Sequence, residues 1–164
     1  MALAVTHVII TIVILDILRH YVFGLKKFPR YLLVIGGIAG LAPDLDIPLS
    51  WIVNLFSSVY YNFHGTFTHS FLWVIIFLIV AIQFHIRNNM KWAKIFYVIA
   101  VGWFMHLFLD WSFGEYKWLF WPFVTPESIF PPLTLSTYGT SIDAIILVVW
   151  LVHEEIHHKI KDYF

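Results

Sequence analysis

The chain has 164 residues, 60% of them apolar and only 12% charged, with a formal net charge of zero and no cysteine. A soluble domain carries roughly 25% charged residues, so the composition excludes a water-soluble globule. Zero net charge leaves no polyanion-binding signal, and no nucleic-acid partner is expected; the lack of thiols excludes disulfides, iron–sulfur clusters and cysteine zinc sites.

In chain order, residues 2–23 read as a first membrane-spanning helix, retained because no Lys or Arg precedes it and no small-residue cleavage site follows. Residues 24–30 are a basic turn. Residues 31–42 are apolar but span only ~18 Å as a helix, so they are expected to end below the membrane surface at Pro43-Asp44-Leu45-Asp46. Residues 47–61 are apolar and aromatic, with Pro48, Ser50 and Asn54. Residues 67–86 and 92–111 read as spans, separated by a second basic turn at 87–94. The stretch 112–140 holds Pro122, Pro126, Pro131 and Pro132, which no continuous helix tolerates. It is expected to lie on the membrane, anchored by Trp118, Trp121 and Phe123. Residues 141–158 are the last span.

Positive charge then orders these segments. Nine of the ten basic residues, Arg19, Lys26, Lys27, Arg30, Arg87, Lys91, Lys94, Lys159 and Lys161, fall at the end of the first span, in the two basic turns and in the tail. The positive-inside rule places them in the cytoplasm and leaves Lys117 opposite. Two basic turns on one side require an even number of crossings between them. Segment 47–61 is therefore expected to be interfacial or re-entrant. The resulting fold class is all-α: a single polytopic membrane domain of about five crossings, in the plasma (inner) membrane, N-terminus outside and C-terminus in the cytoplasm.

This topology gathers His7, Asp44, Asp46, His64, His69, His106, Asp110 and Asp143 at the outer face. Ionisable groups at membrane level cost ~2.5–3.5 kcal/mol each on insertion scales and mark functional sites; a metal ion offsets several at once. The spacing His106-x-x-x-Asp110 puts both side chains on one helix face. Imidazole with carboxylate and no thiolate suits zinc, or manganese, iron or cobalt. Eight ligands exceed the three or four that one catalytic zinc takes, so more than one ion is expected. Plainer readings exist: His7 as an interfacial residue, Asp46 as a turn residue, Asp143 behind Ser141 as a helix cap. A competing signal is His153-Glu154-Glu155-Ile156-His157, which matches H-E-x-x-H. His20 and His85 lie at its level as possible third ligands, against a plain reading as a charged helix end leaving the membrane.

At Ala42-Pro-Asp-Leu-Asp46, His64-Gly-Thr-Phe-Thr-His-Ser70 and His106-Leu-Phe-Leu-Asp110, in that order, the chain resembles the bacterial and archaeal membrane-bound metal-dependent hydrolases, also described as LexA-regulated inner-membrane proteins. Their pattern runs from an N-terminal His through Pro-Asp-x-Asp and His-Arg-Gly-x-Thr-His-Ser to His-x-x-x-Asp. The resemblance covers His7 to Asp110, and loosely Leu119 to Pro122. It implies that His7, Asp44, Asp46, His64, His69, His106 and Asp110 are metal-binding or catalytic. Two positions depart. Ile47 stands where that family often has His, and Gly65-Thr66 stands where it has Arg-Gly, removing a group suited to an anionic substrate.

These observations lead to a membrane-embedded metal-dependent hydrolase, acting on a lipid or lipid-linked phosphoester, ester or amide. Asp44, Asp46 or Asp110 would be its general base, and Ser70 or Thr68 would orient substrate. The alternatives are a non-enzymatic metal-binding protein or transporter, and a cytoplasmic-face protease built on His153 and His157. The apolar mid-spans, such as 72–82, argue against a transport route, which needs polar groups through the membrane.

Overall fold

The computed structural model describes residues 4–114, 118–123 and 139–158, and every regular element among them is helical. Helix α1 (Ala4–Leu18) is predominantly apolar, and its helical form satisfies every backbone group internally where lipid offers no partner. Its buried residues are Thr6, His7, Thr11, Leu15 and Asp16. Falling at 6–7, 11 and 15–16, about one helical turn apart, they form a stripe, polar but for Leu15, turned toward the other helices. The helix continues as a π-helical turn, Arg19–Phe23.

Helix α2 (Tyr31–Leu41) does not stop at Pro43. A 3₁₀ turn, Ala42–Leu45, leads directly into α3 (Asp46–Phe56), giving a helical stretch of 26 residues. Proline sits here in the first turn of the new segment, where its missing N–H has no partner to lose. This corrects the expected boundaries: 31–42 is not an isolated short helix, and 47–56 follows it without a break. Helices α4 (Phe71–Ile86), α5 (Met90–Ser112) and α6 (Gly139–His158) follow. By length and apolarity, Ala4–Phe23, Tyr31–Phe56 and Met90–Ser112 suffice to cross a membrane, and Phe71–Ile86 is a shorter apolar helix. Most of the proline-rich stretch 112–140, with Lys117, Lys159 and Lys161, lies outside the described residues.

Helix α5 is the centre of the bundle, packed against α4, α2 and α1, while α6 rests on α1. The contact between α2 and α5 is unusually close. A Cβ added to Gly102 would meet the Gly36 carbonyl oxygen at 2.7 Å and the Ala39 Cβ at 2.8 Å. Small residues spaced as Gly36-x-x-x-Gly40 let helix backbones approach in this way in membranes. One turn further along α5, His106 donates Nδ1–H to the Gly40 carbonyl at 2.8 Å. The glycines therefore place the imidazole. At the opposite end of the bundle the two basic turns lie together, the Lys94 ammonium donating to the Lys27 carbonyl at 2.6 Å.

Candidate metal centre

Four elements bring the expected side chains together: His7 from α1, Asp44 and Asp46 from the α2–α3 junction, His64 and His69 from the loop before α4, and His106 with Asp110 from α5. That loop is pinned from several sides. Trp103 Nε1 donates to the Thr68 carbonyl and Trp73 Nε1 to the Phe67 carbonyl, both at 3.0 Å. The Trp118 N–H donates to Gly65 O at 2.9 Å, and the Phe71 N–H to Leu119 O at 2.8 Å. Thus residues 118–119 of the segment expected to lie on the membrane clamp this loop.

The carboxylates divide into two kinds. Asp46 is saturated. Its Oδ1 faces His64 Nδ1 at 3.0 Å, and its Oδ2 accepts from Thr68 Oγ1 at 2.6 Å and Gly65 N–H at 3.1 Å, with His69 Nδ1 also at 3.1 Å. Asp44 and Asp110 instead face the far side of the rings. Asp44 Oδ1 lies 3.5 Å from His69 Nε2 and 3.4 Å from His106 Nε2; Asp110 Oδ2 lies 3.5 and 3.3 Å from the same atoms. The two Nε2 atoms are 3.2 Å apart.

Hydrogen bonding assigns the tautomers. His106 Nδ1 faces a carbonyl, which can only accept, and His69 Nδ1 faces Asp46, so in the neutral rings both Nε2 atoms carry lone pairs. Two lone pairs and two carboxylate oxygens therefore converge with no proton of their own between them. Such an arrangement repels itself unless a proton or a metal cation lies between the donors. The spacing suits a metal. Donors at the 2.0–2.1 Å typical of zinc stand about 3.3–3.4 Å apart around a tetrahedron, and the five separations above run from 3.2 to 3.5 Å.

His7 adds a flank. Its ring stacks on His106 with centroids 4.0 Å apart, and its Nε2 lies 3.3 Å from Asp110 Oδ1. Two triads thus present donor atoms within 4.8 Å of one another: His7, His106 and Asp110, and Asp44, His64 and His69. The centre is buried, with its exposure concentrated at the Asp44 and His64 side chains, each 19% accessible.

Three expectations change. Asp143 is buried but accepts from Thr6 Oγ1 at 2.8 and 3.0 Å, tying α6 to α1 instead of joining the donors. Ser70 caps α4: its Oγ accepts from the Leu72 N–H and lies 3.3 Å from the carbonyls of Leu119 and Trp121, which absorbs the hydroxyl expected to orient substrate. Asp46 holds His64, His69 and the loop, and its oxygens face the donors of His64, Gly65, Thr68 and His69, so neither a ligand nor a general-base role suits it. Gly65, at the position of the resembling family's Arg, has φ of 76°, where glycine is favoured over any side chain. The departure is therefore built into the turn.

The sequence of this chain matches that of a known family along nearly its whole length. The model of the YdjM inner membrane protein family covers residues 1–161. The chain belongs to that family. It is thus an inner membrane protein, in agreement with its apolar helices. Neither a curated protein nor a solved structure matches it.

A second polar cluster was missed by sequence reasoning. Asp16 is buried in α1 and pairs with Arg19 Nη1 at 3.3 Å; Trp150 Nε1 donates to it at 3.3 Å. His20 Nδ1 lies 3.3 Å from it and His153 Nδ1 3.8 Å. Arg19, counted with the basic flank, is itself buried and donates Nε–H to Phe28 O at 3.0 Å. The available signal was an Asp and an Arg three residues apart within an apolar run. The His153–His157 match is described only at His153, the side chains of Glu154 and His157 lying outside the described residues. His85 does not join it, and pairs with the Tyr97 hydroxyl at 3.3 Å.

Proposed function

We propose that this YdjM-family protein is a membrane-embedded, divalent-metal-dependent hydrolase with a site at the extracytoplasmic face. The observation that carries the reading is the convergence of His69 Nε2, His106 Nε2, Asp44 Oδ1 and Asp110 Oδ2, each carboxylate oxygen within 3.5 Å of both imidazole nitrogens. These four would hold the ion, and zinc fits the donor set and distances best. His7 alone, beside Asp110, supplies too few donors for a second complete shell, which favours one ion over several. When bound, the ion supplies Lewis acidity, acidifying a water and polarising the bond to be cut.

The chain's own residues supply the rest. Asp46 fixes His69 from behind, as outer partners of zinc-binding histidines do. It also holds His64 by Nδ1, which makes Nε2 the basic atom of a ring on the accessible side of the centre. His64 is therefore the proton acceptor in this reading, replacing the aspartates expected from sequence. Asp44, at the same opening, is the ligand nearest incoming substrate. Helix α3, which begins at Asp46, exposes Trp51, Leu55 and Phe56, an apolar face that suits a lipid or lipid-linked substrate. The side is assigned by charge: the paired basic turns go to the cytoplasm and the donors to the other face, with the N-terminus outside.

The test is metal analysis of the purified full-length chain, followed by assays on lipid phosphoester, ester and amide probes. Wild type should carry about one divalent ion per chain and cleave one probe class, and a strong chelator should abolish both. His64→Ala should keep the ion and lose turnover. Absence of bound metal after loading with zinc or manganese would overturn the metal reading. A loaded chain inert on all three classes would leave a non-enzymatic metal-binding protein.

A further inference from the structure

A groove lies at the end of the bundle opposite the metal centre. It has a volume of about 580 Å³ and is enclosed by α1, α4 and α5. Its floor is apolar: Leu15 and Val98 are buried there, and Leu78 and Val101 form walls. Its mouth is polar and cationic. Lys27, Lys94, His85 and Tyr97 line it, and no carboxylate appears among the described lining residues. The volume falls within the roughly 300–1,000 Å³ of ligand sites. Two smaller grooves, of about 260 Å³ each, carry no lysine among their described lining residues.

We propose that this groove is a binding site for one anionic phospholipid of the leaflet on the basic side, its phosphate at Lys27 and Lys94 and an acyl chain along the floor. Charge complementarity selects the occupant. Lys94 spends one of three ammonium donors on the Lys27 carbonyl, which draws the two lysine positions together on one rim and leaves two donors for a phosphate oxygen. The His85 ring, held by the Tyr97 hydroxyl, adds a further polar group at the same rim. Basic pockets between membrane helices on the cytoplasmic side recognise acidic headgroups by this combination. A polar ligand would leave the Leu15 and Val98 floor wet, and a neutral lipid would leave two lysines without a counter-charge. This site is independent of the metal centre, and each can fail alone.

The experiment is native mass spectrometry of the full-length chain in detergent, titrated with phosphatidylglycerol or phosphatidylcholine of identical chains. Wild type should retain phosphatidylglycerol at least about tenfold more strongly, and the double variant Lys27→Gln with Lys94→Gln should lose it roughly thirtyfold, two lysine contacts' worth. Lys91→Gln, exposed in the first turn of α5 and outside the groove, should behave as wild type. Val101→Trp, which fills the groove with both lysines intact, should also lose the lipid. Circular dichroism and a monodisperse elution profile identify a misfolded variant, in which case the wild-type comparison and Val101→Trp decide. Equal retention of the two lipids, or a folded double variant that keeps phosphatidylglycerol, would overturn the proposal. Displacement of the lipid by inorganic phosphate at millimolar concentration would make this a phosphate site instead.

Discussion

Two buried polar clusters share helix α1, one at His7 and one at Asp16. They are nine residues apart in the chain, or ~13–14 Å along the helix. Both combine aspartate with histidine in a membrane bundle, and they solve the same electrostatic problem oppositely. At Asp16 the counter-charge is covalently present: Arg19 pairs with the carboxylate, Trp150 donates to it, and the His20 and His153 rings pack edge to face 5.2 Å apart. At the His7 end, two carboxylates and two imidazole lone pairs meet around a common centre. An arginine completes the first cluster as an ion pair. The second has no guanidinium among its donors, and the proposed function fills its centre with a cation from outside. Similar residue types thus form an ion-paired tie in one place and, in the proposed reading, a binding site in the other, and the presence of a guanidinium separates them.

The sharpest way to break this contrast is to remove a donor from each cluster and count ions. His106→Ala should take bound zinc from about one per chain to background, read by elemental analysis, while His153→Ala keeps it. The reverse pattern would make the His153 cluster the metal site and the outer donors structural.

Next in size is the cost of an unmatched charge. Asp16→Ala leaves Arg19 buried alone and should destabilise the bundle by about 3–5 kcal/mol, measured by unfolding in mixed detergent, with metal content unchanged. Adding Arg19→Met should recover most of that loss. No recovery would mean that Asp16 acts through something other than this pair.

Asp46→Asn probes the support behind the donors. The amide keeps the shape but weakens its hold on His69 and His64, so zinc affinity should fall 10–100-fold, or about 1.4–2.7 kcal/mol. Competition with a fluorescent chelator reads this directly. A complete loss of metal would show that Asp46 is itself a ligand, against the geometry. Smallest of all is Thr6→Val, which removes the Thr6–Asp143 bond between α1 and α6. Bonds of this kind average about 0.6 kcal/mol in membrane helices, and metal content should not move. A drop in bound zinc would return Asp143 to the site.

The sequence by itself determined the helical membrane class, because bilayer thickness and backbone hydrogen bonding allow a run of apolar residues little else. It also disclosed most of the donor set. His106 and Asp110 are one helical turn apart, and the remaining donors are ionisable residues where such residues are expensive. Only the tertiary structure decided what each donor does. Asp44 and Asp46 are two residues apart in sequence, yet one faces the imidazole lone pairs and the other faces N–H and O–H groups. That choice depends on where α5 and the 64–69 loop pack against the α2–α3 junction. The close approach at Gly36, Gly40 and Gly102 sets the first of these, and the indoles of Trp73 and Trp103 set the second. The pairing of Asp16 with Arg19 went unread because an i,i+3 spacing inside an apolar run does not say whether the charges meet each other or leave for the interface. Local periodicity specifies which residues share a face. Which atoms on that face find donors, and which find only one another, depends on contacts between segments far apart in the chain.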